Sequence, residues 1–229
     1  GAISKELGAV EKILDDKDGN WYKLLRSCWT DIDPAVFKRL FTNLVVNSCM
    51  TGNPRRWELM EKYDCNIPWS ILMDPTSACN LHCTGCWAAE YGNKLNLTFD
   101  ELDSIIEQGK ALGIYFYLYT GGEPTMRKKD LIALASKHND CVFMPFTNGT
   151  MIDDDFAEEM LRVGNIVPAI SVEGFEEDTD FRRGKGTYRR IVHAMEVLKA
   201  HRLPFGTSLC YTSQNYEEIG SEAWFDQLV

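Results

Sequence analysis

No stretch of about 18 consecutive apolar residues occurs in the sequence, so nothing in it reads as a membrane-spanning helix. The opening residues show no secretory leader pattern either. Positive charge is in short supply. The 24 Lys and Arg face 34 Asp and Glu, for a net charge of −10. A nucleic-acid binder needs a basic face to neutralise phosphates, so no nucleic-acid partner is expected. The one dense basic stretch, FRRGKGTYRR at 181–190, is short and suits a single anionic ligand better than a polymer. A disulfide framework is lacking as well. The eight cysteines sit in a 229-residue chain that is 45% hydrophobic and 25% charged, an ordinary globular composition. Cys28, Cys49, Cys65, Cys141 and Cys210 are scattered among apolar neighbours and are expected to be small buried side chains. The other three, Cys79, Cys83 and Cys86, crowd into CNLHCTGC. Clustered thiols outside a disulfide context suggest a metal and a reducing, cytoplasmic compartment.

Residues 1–68 read as an N-terminal helical extension. The segments SKELGAVEKIL, WYKLLRSCW, DPAVFKRLFTNLVVNSCM and PRRWELMEKY carry apolar residues at three- and four-residue spacing, and Asp33-Pro34 is a cap followed by a first-turn proline. From Trp69 the pattern changes to strand–helix alternation. The expected strands are WSILMDP, IYFYLYT, CVFMPFT, IVPAISVEG and PFGTSLCYT. The intervening helices include one with a capping box at Thr98 and Glu101 and an end at Gly113, and a last helix, YEEIGSEAWFDQLV, follows the fifth strand. Regular alternation implies a parallel sheet with helical crossovers. The fold class expected is α/β, a partial TIM-like (β/α) barrel of about five strand–helix units spanning 69–229, with the closing part of the barrel missing. The unusual residues all follow strand ends, and in a barrel those ends meet at one mouth. The aromatic run IYFYLYT could line that mouth or simply fill the core.

Three thiols at this spacing can wrap one face of a metal centre. Structural zinc wants four ligands, with His82 the available fourth; an electron-transfer iron–sulfur centre would need a distant Cys65 or Cys141. A cluster with three protein ligands leaves one iron open for chemistry.

Cys79-Asn-Leu-His-Cys83-Thr-Gly-Cys86 resembles the CxxxCxxC loop of the radical S-adenosylmethionine (SAM) superfamily. Gly121-Gly122-Glu123-Pro124, after the second strand, resembles its GGEP motif. The resemblance covers roughly residues 69–215. It implies that Cys79, Cys83 and Cys86 ligate a [4Fe–4S] cluster, that SAM chelates the fourth iron, and that Gly121, Gly122 and Glu123 meet the SAM amino group. Ser171 and Arg183 resemble the Ser and Arg that hold SAM in relatives with a C-terminal SPASM extension, Arg183 through a guanidinium suited to a carboxylate. Thr147 and Asn148 in TNGT match a common third-strand ending, though Asn148-Gly149 is equally good turn chemistry. Glu173 stands where many relatives have Asp. One departure concerns the aromatic that the family usually places before the third cysteine. Here that position is Gly85, and Trp87 comes just after Cys86.

The implied reaction is reductive cleavage of SAM to a 5′-deoxyadenosyl radical that abstracts hydrogen from an inert C–H bond. Electrons would come from a reductant such as flavodoxin or ferredoxin. The motif style resembles peptide- and protein-modifying members. A lipid or other small molecule is the alternative substrate, delivered through peripheral membrane contact of the N-terminal helices, where Val36, Leu40 and Leu44 with Phe37, Phe41 and Val45 form a broad apolar face. A non-catalytic iron–sulfur or zinc module is the other class. No residue is singled out as catalytic.

Overall fold

The computed structural model describes residues 8, 11, 12, 14–92 and 94–228. Five short strands form one parallel sheet: β1 (Ile71–Met73), β2 (Phe116–Tyr119), β3 (Val142–Thr147), β4 (Ala169–Ser171) and β5 (Gly206–Ser208). They neighbour one another in chain order. That is the order of a barrel wall; a doubly wound sheet reverses its order at a switch point. The crossovers are α4 (Phe99–Ala111), α5 (Lys128–Lys137) and α6 (Asp154–Val163), then the pair α7 (Glu176–Arg183) and α8 (Thr187–Ala200). After β5 the chain forms α9 (Tyr216–Ile219) and α10 (Glu222–Leu228), where a single helix was expected; the break falls at Gly220-Ser221. Among the described residues no helix is long and apolar enough to cross a membrane.

Side chains alternate across the sheet. Tyr117 points outward, its hydroxyl donating to the carbonyls of Ile106 at 2.9 Å and Ile114 at 3.0 Å, and Tyr119 stacks on Phe143. The tyrosines of the aromatic run therefore belong to the core between sheet and helices and do not line the mouth. Leu72, Phe146, Ser171 and Ser208 face the barrel interior instead. The helix starts obey local chemistry. The capping box of Thr98 and Glu101 is formed at α4, and Asp153 accepts from the Phe156 amide at 3.0 Å to cap α6.

Two elements differ from expectation for physical reasons. The expected strand at 166–174 shrinks to three residues, because Pro168 has no amide for the ladder and Ile166 makes only an isolated bridge to Phe143. Helix α7 carries no apolar stripe and buries only Thr179, so periodicity could not reveal it. It is held by acidic residues in its first turn, Arg182 and Arg183 in its last, and Asp180, which accepts from the amides of Gly186 at 2.6 Å and Tyr188 at 2.8 Å.

The N-terminal layer comprises α1 (Asn20–Thr30), α2 (Pro34–Phe41), a π-helical run over Thr42–Gly52 and α3 (Asn53–Tyr63). The expected helix SKELGAVEKIL lies largely outside the described residues. Asp33 caps α2 as expected, accepting from the amides of Ala35 and Val36. The layer grips the loops that precede the strands. Asn43 donates to the carbonyls of Asn139 at 2.9 Å and Cys141 at 2.8 Å, ahead of β3, and Arg56 donates to Gly113 at 2.5 Å, ahead of β2. Ahead of β5, Arg202 donates to Thr30 and Ile32 at 3.0 Å. These contacts lie at the N-terminal ends of the strands, whereas the cysteine loop follows the C-terminal end of β1. The helices expected to feed a lipid into the mouth are therefore at the opposite end of the barrel. Their apolar face is also only partly used. Val36 and Leu40 are buried, Phe37 and Val45 are half-buried, and Phe41 and Leu44 are exposed. The π-helical turn takes more residues than an α turn, so the α-period face drifts and Asn43, Ser48 and Gly52 turn inward instead.

The scattered cysteines also need correction. Only Cys141 is buried; Cys28 is half-buried, and Cys49, Cys65 and Cys210 are exposed. Cys28 and Cys49 sit on outward-turned positions of the N-terminal layer, Cys65 follows the left-handed Asp64 at the end of α3, and Cys210 lies just beyond β5. Replacing buried Asn43 by Ala would strand the carbonyl of Asn139 and leave that of Cys141 with the Asn165 side-chain amide as its remaining donor. We expect a loss of about 1–3 kcal/mol in urea unfolding, with the far-ultraviolet circular dichroism of the native protein unchanged.

Candidate functional site

The loops after the five strands enclose a cavity of about 550 Å³. Its wall contains the three clustered thiols, Gly121, Gly122 and Glu123 after β2, Asn148 after β3, Ser171 at the end of β4, and Arg183 of α7. Residues spread over more than a hundred positions of sequence thus meet in one place. Of the candidate residues, only Thr147 is absent from the wall.

The cysteine loop has almost no regular structure, and the glycine turn supports it from behind. The amides of Gly122 and Glu123 donate to the carbonyls of Thr76 and Ala78, each at 2.8 Å. A methyl group on Gly122 would come within 2.1 Å of the Ala78 carbonyl oxygen. Gly121 adopts φ +91, and a methyl group there would meet the Thr76 oxygen at 2.7 Å. Both glycines are therefore required for the close approach of two protein loops. Among the described residues, the carbonyls of Gly121 and Gly122 accept no hydrogen bond, which leaves two acceptors at the cavity wall.

Glu123 is buried, at 1% exposure, and both its oxygens accept hydrogen bonds. It accepts from the Thr125 amide at 2.9 Å, the Thr125 hydroxyl at 2.5 Å, the Thr147 hydroxyl at 2.7 Å and the Asn148 amide at 2.7 Å. Three of the four donors meet Oε1 and one meets Oε2. The Glu123 side chain ties the end of β2 to the end of β3. Thr147 is likewise buried behind the wall, as a donor to Glu123 and an acceptor from the Gly149 amide. Asn148 does reach the cavity, and its side-chain amide donates to Asn80 inside the cysteine loop at 2.8 Å.

A second buried carboxylate organises the other side. Glu173, at 1% exposure, accepts from Arg183 at 2.9 Å through Nε and 2.5 Å through Nη2, from Arg182, and from the Cys210 amide at 3.0 Å. This joins the ends of β4 and β5 to α7. Arg183 is therefore held at the wall by an ion pair. Two guanidiniums against one carboxylate leave one positive charge on the wall shared with Ser171 and Ser208, which pair in register and whose hydroxyls make no hydrogen bond among the described residues. Sequence reading missed Arg182, Ser208, Asn80 and Thr150. The Arg-Arg pair was the available signal, whereas the Ser171–Ser208 register appears only in the sheet.

Burial raises the thiols of Cys79 and Cys83 above the ordinary cysteine value. At Cys79 the Leu81 amide, 3.4 Å from Sγ, opposes this, and at Cys83 the Arg183 charge does. Among the described residues no three Cys, His, Asp or Glu converge where a single ion could sit. Three thiols on one wall suit an iron–sulfur group, whose usual protein ligands are cysteine thiolates. Gly85 takes φ +69 with open space where a side chain would be, and Trp87 is 58% exposed on the cavity wall, its ring edge-on to Tyr91 at 5.8 Å.

The family model described as Radical SAM superfamily matches residues 73–222. Fe-coproporphyrin III synthase of Methanosarcina barkeri is 31% identical over 165 residues, covering 69% of this chain and 40% of that protein. The chain spans between 39% and 46% of the first curated relatives it matches. Among solved structures, anSMEcpe with bound AdoMet superposes with a TM-score of 0.57 at 24% identity, covering 69% of this chain and 50% of that one. Streptococcus suis SuiB bound to its precursor peptide SuiA gives a TM-score of 0.63 at 20% identity, covering 76% and 39%. These likenesses agree with the partial barrel.

The two glycine environments make opposite demands. Gly122→Ala must displace the cysteine loop, and we expect it to cost about 1–3 kcal/mol and to expose the three thiols to a thiol-reactive dye faster than in the parent. Gly85→Ala carries only the backbone penalty of a left-handed residue, about 1–2 kcal/mol, without a clash. Thermal unfolding and thiol-labelling rates compare the two directly.

Proposed function

The chain belongs to the radical SAM superfamily, and on that premise we propose that Cys79, Cys83 and Cys86 hold a [4Fe–4S] cluster whose fourth iron is left for SAM. The carrying observation is that three thiols, a glycine turn with free carbonyls and an arginine pair line one cavity at the mouth of the barrel. When bound, the cluster and SAM supply a 5′-deoxyadenosyl radical that removes hydrogen from an unreactive C–H bond.

The roles of the wall residues follow from their chemistry. The carbonyls of Gly121 and Gly122 accept from the SAM amino group, the part expected of the segment Gly121 to Glu123. Ser171 and Arg183 hold the SAM carboxylate, with the net positive charge beside Ser171 matching one anion. Glu123, Thr147 and Asn148 fix the loops and do not touch the cofactor through charged atoms. Trp87 offers the exposed aromatic surface that Gly85 cannot. A small electron-transfer protein such as flavodoxin or ferredoxin supplies the electron, and a reducing, cytoplasmic setting suits the exposed thiols.

A peptide or protein is the substrate we favour, since SuiB, which shares the barrel, is captured with a precursor peptide. The similarity to Fe-coproporphyrin III synthase supports a second reading, a small molecule. Lipid delivery by the N-terminal helices loses its support, because they grip the far end of the barrel.

Anaerobic reconstitution with iron and sulfide, followed by dithionite and SAM, tests the proposal. We expect about four irons and four sulfides per chain and 5′-deoxyadenosine from the parent, with neither from Cys83→Ala. Zinc in place of iron would sink the reading in favour of a structural module. A four-iron cluster without SAM cleavage would support a non-catalytic iron–sulfur module.

A further inference from the structure

Between Cys79 and Cys83 the chain has no helix, no strand and, among the described residues, no backbone hydrogen bond to the rest of the molecule. What ties this part of the loop down is one side chain. The Asn148 amide donates to Asn80 Oδ1 at 2.8 Å, Asn80 Nδ2 donates to Thr150 Oγ1 at 2.9 Å, and the Thr150 hydroxyl donates to Asn148 Oδ1 at 2.7 Å. The three side chains close a ring in which each gives one hydrogen bond and receives one. The ring is anchored from below, since the Asn148 backbone N–H donates to the buried Glu123 carboxylate at 2.7 Å. The far side of the loop is pinned separately, the Thr84 amide donating to the Arg182 carbonyl at 2.8 Å.

We propose that Asn80 is a positioning residue for the cluster site: the Asn80–Thr150–Asn148 ring holds the Cys79–Cys83 segment in its ligating shape before the cluster arrives. The inference rests on the cluster reading above. Its physical logic is entropic. A loop that is already ordered gives up less freedom when its thiols bind, so the cluster is captured more readily and lost more slowly. Asparagine suits this position because it supplies a donor and an acceptor on one short planar group. Alanine supplies neither, and aspartate keeps only the acceptor that faces Asn148. Thr150 completes the ring from outside the wall of the cavity, so changing it alters the ring without altering a cavity residue.

The test compares the reconstituted parent with Asn80→Ala, Asn80→Asp, Thr150→Val and the Asn80→Ala/Thr150→Val double variant. Two readouts are used: the rate of iron loss to an excess of chelator, and the electron paramagnetic resonance line of the reduced cluster. Loss of an outer partner of a metal ligand commonly weakens the site about 10- to 100-fold. We expect chelator-driven loss to speed up by about that factor in Asn80→Ala, less in Asn80→Asp, and comparably in Thr150→Val. The double variant should be no worse than the worse single one, because both remove the same ring. The resonance line should broaden in step, reporting a loop with several geometries, while thermal unfolding of the cluster-free proteins stays at the parent value. Parent-like cluster retention in Asn80→Ala would overturn the proposal, as would Thr150→Val behaving like the parent while Asn80→Ala does not. A parent that takes up no cluster would overturn the underlying reading and this inference with it, and is distinguished by the iron content before chelator is added.

Discussion

The mouth of the barrel depends on two buried carboxylates. A carboxylate taken out of water is costly unless hydrogen bonds or ion pairs replace its hydration, so the surrounding loops must converge to supply donors. Glu123 collects its donors from β2's own loop and from the end of β3, while Glu173 collects two arginines from α7 and an amide from beyond β5. One hub therefore joins the second and third strands and the other joins the fourth and fifth. The cavity lies between them. Because each hub is satisfied only when several segments are in place together, the loops order cooperatively, although most of them contain no regular structure.

That organisation explains how far the sequence could be read. The strand–helix alternation, the capping box and the positions of the cysteines and of Gly121-Gly122 all depend on local patterns, and local patterns are visible in one dimension. The arrangement of Glu123 is not local. Its sequence context, GGEP, suggests an acceptor at a ligand site, and only the approach of Thr147 and Asn148 from the next strand shows where its oxygens are used. Helix α7 was missed for a related reason: it is held by charge at its ends and by Asp180 against the following turn, with almost no buried face to produce a period. Its Arg182 went unremarked as a consequence. The exposed cysteines show the reverse error. Apolar neighbours in sequence do not bury a residue when the helix carrying it turns that position outward.

The N-terminal layer gives the barrel its polarity. Asn43, Arg56 and Arg202 link the layer to the loops ahead of β3, β2 and β5, so one end of the open barrel is braced by polar side chains bonded to backbone carbonyls. Such contacts are specific in register and tolerate little sliding, because breaking the Arg56–Gly113 or Asn43–Asn139 bond leaves a carbonyl unpaired. Within the π-helical run Asn43 and Asn47 reach the same loop, where they bond the carbonyls of Cys141 and Asp140. Bracing one end leaves the other free to be shaped by the site.

Charge completes the picture. The chain carries a net −10, yet its site gathers arginines around a set of thiols. Thiols release protons when they become metal ligands, so loading a cluster adds negative charge in a half-buried wall. Glu173 alone would make that worse, and Arg182 and Arg183 alone would repel one another across a cavity without an anion. Together they leave a single positive charge, and the Cys83 thiol already feels it as an influence opposing burial. The same positive charge is then available to an anionic ligand beside Ser171. Removing Glu173 would therefore do more than delete an ion pair. It would free both guanidiniums, unpin the Cys210 amide, and loosen the α7 carbonyl on which the Thr84 end of the cysteine loop is hung.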